Sequence, residues 1–92
     1  MIQVFQYSTF KRKVKKLHAN EKKDLDNAIM EIVKNPQAGE PKKGDLKGIK
    51  VYKFKMANQL TLLAYMYDDT AEELALYALG THENFYRDLK SK

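Results

Sequence analysis

The sequence predicts an α+β fold: one strand, two helices in a hairpin, three consecutive antiparallel strands and a short terminal helix. Three observations predict it. Residues 2–7, "IQVFQY", alternate Ile2, Val4 and Gln6 against Gln3, Phe5 and Tyr7. Between residues 10 and 33 the apolar positions recur at helical spacing, and from Ile49 the period returns to two.

The elements follow in order. Ser8 or Thr9 is expected to end the first strand by capping a helix in which Phe10, Val14 and Leu17 form one apolar stripe. Asn20 is placed to cap the second helix, whose Leu25, Ala28, Ile29, Ile32 and Val33 make a wide apolar face. The run "NPQAGEPKKGD" ends it, because Pro36, Gly39, Pro41 and Gly44 break helical continuity. Tyr52, Phe54 and Met56 then face one side of a strand and Val51, Lys53 and Lys55 the other, with the core expected under the aromatic side. "ANQ" turns into "LTLLAYMY", which is apolar on both faces and reads as a central strand. "YDDTAEE" turns again into "LALYALG", and a last helix from about His82 or Glu83 to Leu89 directs Phe85 and Leu89 at the sheet. The whole chain, residues 1–92, is expected to be one domain.

Composition narrows the function. With no cysteine there is neither a disulfide framework nor a thiolate metal site, so the cytoplasm is the expected compartment. No signal peptide is legible, and no apolar run approaches the roughly 20 residues that span a bilayer. A net charge of +5, with 17 Lys+Arg against 12 Asp+Glu, favours an anionic partner. The charge is concentrated: Lys11, Arg12, Lys13, Lys15 and Lys16 occur without an acid among them, and Lys42, Lys43, Lys47, Lys50, Lys53 and Lys55 accompany Asp45 alone. From these segments Lys11, Arg12, Lys13, Lys15, Lys16, Lys47 and Lys50, with Arg87, are the candidate contacts for RNA phosphates.

Several chemistries are excluded. There is no glycine-rich phosphate loop, and His18 and His82, the only histidines, have no ligand partner at metal-binding spacing, so neither metal nor cofactor is expected. Asp68, Asp69, Glu72 and Glu73 are accounted for by a polar turn. His18 reads as the end of a basic helix, where an imidazole favours the helix dipole. Lys53 and Lys55 read in two ways, as an edge protected by lysine or as a cationic floor for phosphates. If the sheet curls so that the end of the last strand overlooks that floor, His82 and Tyr86 join the two lysines. That set suits metal-free RNA cleavage, in which a base assists attack by the 2'-hydroxyl, cations stabilise the phosphorane and an acid protonates the departing 5'-oxygen. A nearby aromatic ring can stack a splayed base.

At this point the residues resemble a family. The order of elements, with "DLKGIKVYKFK" followed by two apolar strands and "LGTHENFYRDL", is similar to the RelE/ParE superfamily of bacterial type II toxins over nearly the whole chain. The resemblance implies a RelE-like curved, mainly antiparallel sheet packed on a helical hairpin. RelE-like members cleave messenger RNA on the ribosome. Leu46, Lys47 and Gly48 match their Leu-basic-Gly step, and Tyr52, Lys53 and Lys55 their Tyr-Lys-aliphatic-Lys strand, with Phe54 in the aliphatic place. His82 takes the basic and Tyr86 the aromatic position of the C-terminal helix. The arginine of the following strand is missing; Thr61 or a neighbouring leucine stands there, and Lys50 or Arg87 is the candidate replacement. ParE-like members share the fold but inhibit DNA gyrase without this catalytic set. Either kind implies a cognate antitoxin whose acidic or amphipathic tail wraps the toxin.

Overall fold

The computed structural model describes residues 2–81 and residue 85. Strand β1 (Gln3–Gln6) leads into helices α1 (Ser8–Val14) and α2 (Ala19–Lys34), and then come β2 (Glu40–Pro41), a 3-10 turn (Gly44–Leu46), β3 (Lys50–Met56), β4 (Gln59–Asp68) and β5 (Glu73–Thr81). One five-stranded sheet forms in the order β1-β5-β4-β3-β2, antiparallel except where β1 pairs parallel to β5. The α+β fold stands as read from the sequence, with one more strand: β2, two residues opposite Val51 and Lys50. Its Pro41 is tolerated because the strand lies at the sheet edge. Of the terminal helix, only Phe85 is described; it is helical and buried, while Leu89 lies outside the described residues.

The helix side of the sheet carries the main core. Phe10 of α1 and Leu25 and Ile32 of α2 pack with Leu63, Tyr65, Leu74, Leu76 and Leu79. Val14, Leu17, Ile29 and Val33 extend both helical stripes into the same cluster, and Tyr52, Phe54 and Met56 pack partly buried against it. Burial of each large apolar side chain contributes about 1.5–3 kcal/mol. A β-bulge reconciles Leu74 and Leu76 with Leu79, whose spacing is otherwise out of phase. Ala64 pairs with Ala78 but Tyr65 with Leu76, so Tyr77 is the extra residue and all three leucines face the helices.

The other face is not uniformly solvated, as its lysines suggested. Val51, Leu62, Ala64, Ala78 and Phe85 form a second buried cluster there. Both faces of the sheet are therefore covered, the first by two helices and the second by Phe85.

The turns follow their residues. Ala57 (φ 51°) and Asn58 (φ 67°) are both left-handed, which makes the β3–β4 connection a two-residue hairpin. Asp24 on α2 accepts a hydrogen bond from the Ala57 amide at 2.9 Å, tying that hairpin to the helix. The Asp68 carboxylate accepts the amides of Thr70 and Ala71, so this part of the acidic run builds its own turn. The helix starts differ from expectation. Tyr7 rather than Ser8 or Thr9 precedes α1, with no side-chain cap, because the strand hands over to the helix one residue early. His18 rather than Asn20 precedes α2, and Glu21 accepts the His18 amide at 2.9 Å. His18 thus begins the second helix and does not end the first.

Candidate functional site

Lys53 and Lys55 project from β3 on the face opposite the helices, both exposed and about 7 Å apart along the strand. Their cross-strand neighbours are Leu62 and Leu60. Leu62 is fully buried and Leu60 is 39% exposed, so the lysines stand at the border between the Phe85 cluster and solvent. Phe85 is buried on the face that carries the lysines. His82, Tyr86 and Arg87 themselves lie outside the described residues.

The structure also locates the missing arginine. Thr61 is 2% exposed, points to the helix side opposite Phe54 and donates its hydroxyl to the Gln59 carbonyl at 3.0 Å. Thr61 is therefore a core residue. On the lysine side the corresponding positions are Leu60 and Leu62. Lys50 does not take the arginine's place, because it shares the helix-side phase of Tyr52 and pairs with Tyr65, whereas Lys53 and Lys55 point the other way.

The remaining basic candidates divide. Lys11, Arg12, Lys15 and Lys16 are exposed. The Lys13 ammonium donates to the Leu79 carbonyl at 2.7 Å, on the stretch of β5 that β1 leaves unpaired, and so fastens α1 to the sheet. Lys47 is exposed after the 3-10 turn, and Gly48 beside it has φ 91°, a conformation that makes glycine the fitting third residue of the Leu46-Lys47-Gly48 step. A cavity of about 240 Å³ opens on the helix side between Lys13, Leu17, Met56, Thr61 and Leu79, away from Lys53 and Lys55.

Tyr65 has a part that its place in an apolar strand does not reveal: it anchors the loop after α2. Its buried hydroxyl donates to the Pro36 carbonyl at 2.7 Å and accepts the Gly39 amide at 2.8 Å. Burial pushes this phenol above its ordinary pKa; the bond from Gly39 opposes the shift, and nearby Tyr52 adds to it. A Cβ on Gly39 would lie 2.6 Å from the Tyr65 oxygen, so the loop can approach only as glycine. The loop after α2 is thereby held against the core, and β2 begins only at Glu40.

The sequence matches, over residues 4–90, the family described as the ParE-like toxin of type II bacterial toxin-antitoxin systems. The chain belongs to this family. Solved structures show the same fold. The toxin in the intact E. coli RelBE toxin-antitoxin complex is similar with a TM-score of 0.70 at 16% identity, over 88% of this chain and 96% of that one. The isolated E. coli RelE toxin gives 0.70 at 15% identity, over 99% and 95%. A free E. coli RelE variant with two arginines changed to alanine gives 0.69 at 17% identity, over 89% and 84%. A search of curated proteins finds no match. Among the described residues, no helix of this toxin is long and apolar enough to cross a membrane.

Proposed function

We propose that this toxin is a ribosome-dependent endoribonuclease that arrests translation by cutting messenger RNA. The observation that carries the reading is the pair of exposed lysines, Lys53 and Lys55, on the sheet face where Phe85 is buried; the parts of His82 and Tyr86 come from the resemblance. In the proposed reaction the 2'-hydroxyl attacks the adjacent phosphorus. Its proton passes to a base, the bond to the 5'-oxygen breaks, and the products are a 2',3'-cyclic phosphate and a 5'-hydroxyl once an acid supplies the leaving oxygen with a proton. Lys53 and Lys55 stabilise the phosphorane charge, His82 serves in proton transfer, and Tyr86 orients or stacks on the RNA. Lys11, Arg12, Lys15 and Lys16, with Lys47 and Arg87, hold ribosomal or messenger RNA phosphates. Lys13 supports them from its internal bond to Leu79, and Lys50 flanks the site from the other face. A cognate antitoxin is the protein partner, in keeping with the family and with the RelBE complex.

A second reading, a ParE-like gyrase inhibitor, is favoured by two observations. The matching family is ParE-like, and β4 offers the lysines leucines where RelE-like toxins have an arginine. Both readings meet one experiment. Wild-type and His82→Ala proteins are added to a cell-free translation reaction and new RNA 5' ends are mapped. Cleavage within translated codons by the wild type, lost in His82→Ala, is expected. Growth arrest in cells with no cleavage by either protein refutes the nuclease, and inhibition of gyrase supercoiling then establishes the second reading.

A further inference from the structure

The cavity on the helix side is assembled from parts of the chain that are far apart in sequence. Its apolar walls are Leu17 from the connection between the two helices, Met56 from the end of β3 and Leu79 from β5. Two side chains of opposite charge line the same space, Lys13 of α1 and Glu21 of α2. At about 240 Å³ the cavity is smaller than the roughly 300–1,000 Å³ that drug-sized ligands occupy, so its size suits a small metabolite.

Each of the two charges has a structural task that uses only part of it. The Lys13 ammonium gives one N–H to the Leu79 carbonyl at 2.7 Å, and an ammonium has three to give. Glu21 accepts the His18 amide on Oε1 at 2.9 Å, which leaves Oε2. Among the described residues neither charge has an ion-pair partner, and the two do not pair with each other although they share one cavity. A ligand that is only an anion would gain Lys13 and be repelled by Glu21, and one that is only a cation would meet the reverse. A ligand bearing both signs on a short head, with an aliphatic body to cover Leu17, Met56 and Leu79, satisfies every wall of the space. Met56 adds an adaptable surface, since its unbranched thioether can follow the shape of the body that lies on it.

We propose that this cavity binds a free aliphatic α-amino acid. Its carboxylate lies on Lys13, its ammonium on Glu21, and its side chain against Leu17, Met56 and Leu79. The site is separate from Lys53 and Lys55 and does not depend on the toxin's target, so it stands whether the chain cuts RNA or inhibits gyrase.

The test titrates three compounds into the isotope-labelled toxin and follows the methyl resonances of Leu17, Met56 and Leu79. The compounds are L-leucine, 4-methylpentanoate, which lacks the ammonium, and 3-methylbutylamine, which lacks the carboxylate. Leucine should move all three methyl groups with a Kd of about 1 mM, and each single-charge analogue should bind about tenfold more weakly or worse. Glu21→Gln keeps an oxygen that accepts the His18 amide, so the start of α2 is retained while the charge is lost. In that variant leucine should bind about tenfold more weakly, whereas 4-methylpentanoate, no longer repelled, should bind more tightly than it does to the wild type. Should the variant fail to fold, the three compounds on the wild type decide. No methyl movement at about 50 mM leucine, or 4-methylpentanoate binding as tightly as leucine to the wild type, overturns the proposal. So does a folded Glu21→Gln variant with unchanged affinity for both.

Discussion

The two faces of the sheet are built to different rules. The helix face is filled by leucines, Phe10, Ile32 and Tyr65, each almost wholly buried, and the buried Thr61 hydroxyl donates to a neighbouring carbonyl. The lysine face buries small residues, Ala64 and Ala78, beneath Phe85 and then passes within two residues of β3 from buried Val51 to exposed Lys53. Stability is concentrated on one side, and the chemistry capable of meeting an anion on the other. This separation is what lets exposed cations stand on a strand whose far side is core.

Substitutions on the two faces should therefore fail in different ways. Leu63→Ala should cost about 2–5 kcal/mol in a denaturant titration, since Leu63 is fully buried at the centre of the main core. Lys53→Ala combined with Lys55→Ala should leave the melting temperature nearly unchanged while lowering codon cleavage in a translation reaction by about a hundredfold or more. A large stability loss in that variant would break the comparison.

Tyr65→Phe should cost about 1–3 kcal/mol, because it strands the Pro36 carbonyl and the Gly39 amide. It should also change the alkaline limb of stability. The folded state raises this phenol's pKa, so its contribution is intact below the unfolded value near 10 and is lost as pH rises through the folded value. Unfolding of the wild type followed from neutral to strongly alkaline pH should show that loss, and Tyr65→Phe should lack it.

Leu60→Arg would sharpen the contrast from the lysine side. It sets a cation opposite Lys55 where β4 has only leucine, and should raise cleavage by about tenfold with little change in melting. The smallest effect is expected at the hairpin: Ala57→Gly should stabilise by about 1 kcal/mol in the same denaturant titration, by relieving a left-handed alanine.

Much of this was legible in the chain. The stripes Phe10-Val14-Leu17 and Leu25-Ala28-Ile32 could bury only as helices, and the alternation through Tyr52, Phe54 and Met56 placed the lysines on the opposite face without reference to tertiary structure. What stayed hidden depends on contacts distant in sequence. β2 is too short to show a period and exists because Lys42 reaches Ile49. Lys50 looked equivalent to Lys53 in a basic run, and only strand phase separates them. Lys13 looked like one more surface charge until the Leu79 carbonyl appeared beside it. The caps were misplaced because Ser8, Thr9 and Asn20 are good capping residues in isolation, whereas strand pairing and Glu21 set the actual starts. His82 and Tyr86 rest on the resemblance.

The bulge at Tyr77 bears on how this gene can vary. Because Tyr77 is the uncounted step in β5, removing its single codon would leave Leu76, Ala78 and Leu79 in plain alternation, each on its present face. Leu74 and Leu76 would still meet the helices, and their match with β1 would stay. Removing a counted residue such as Ala75 would instead turn Leu74 outward and Glu73 inward. A change at Tyr77 alters a partly buried ring that meets Tyr7 edge-on, and the core does not count the position at all.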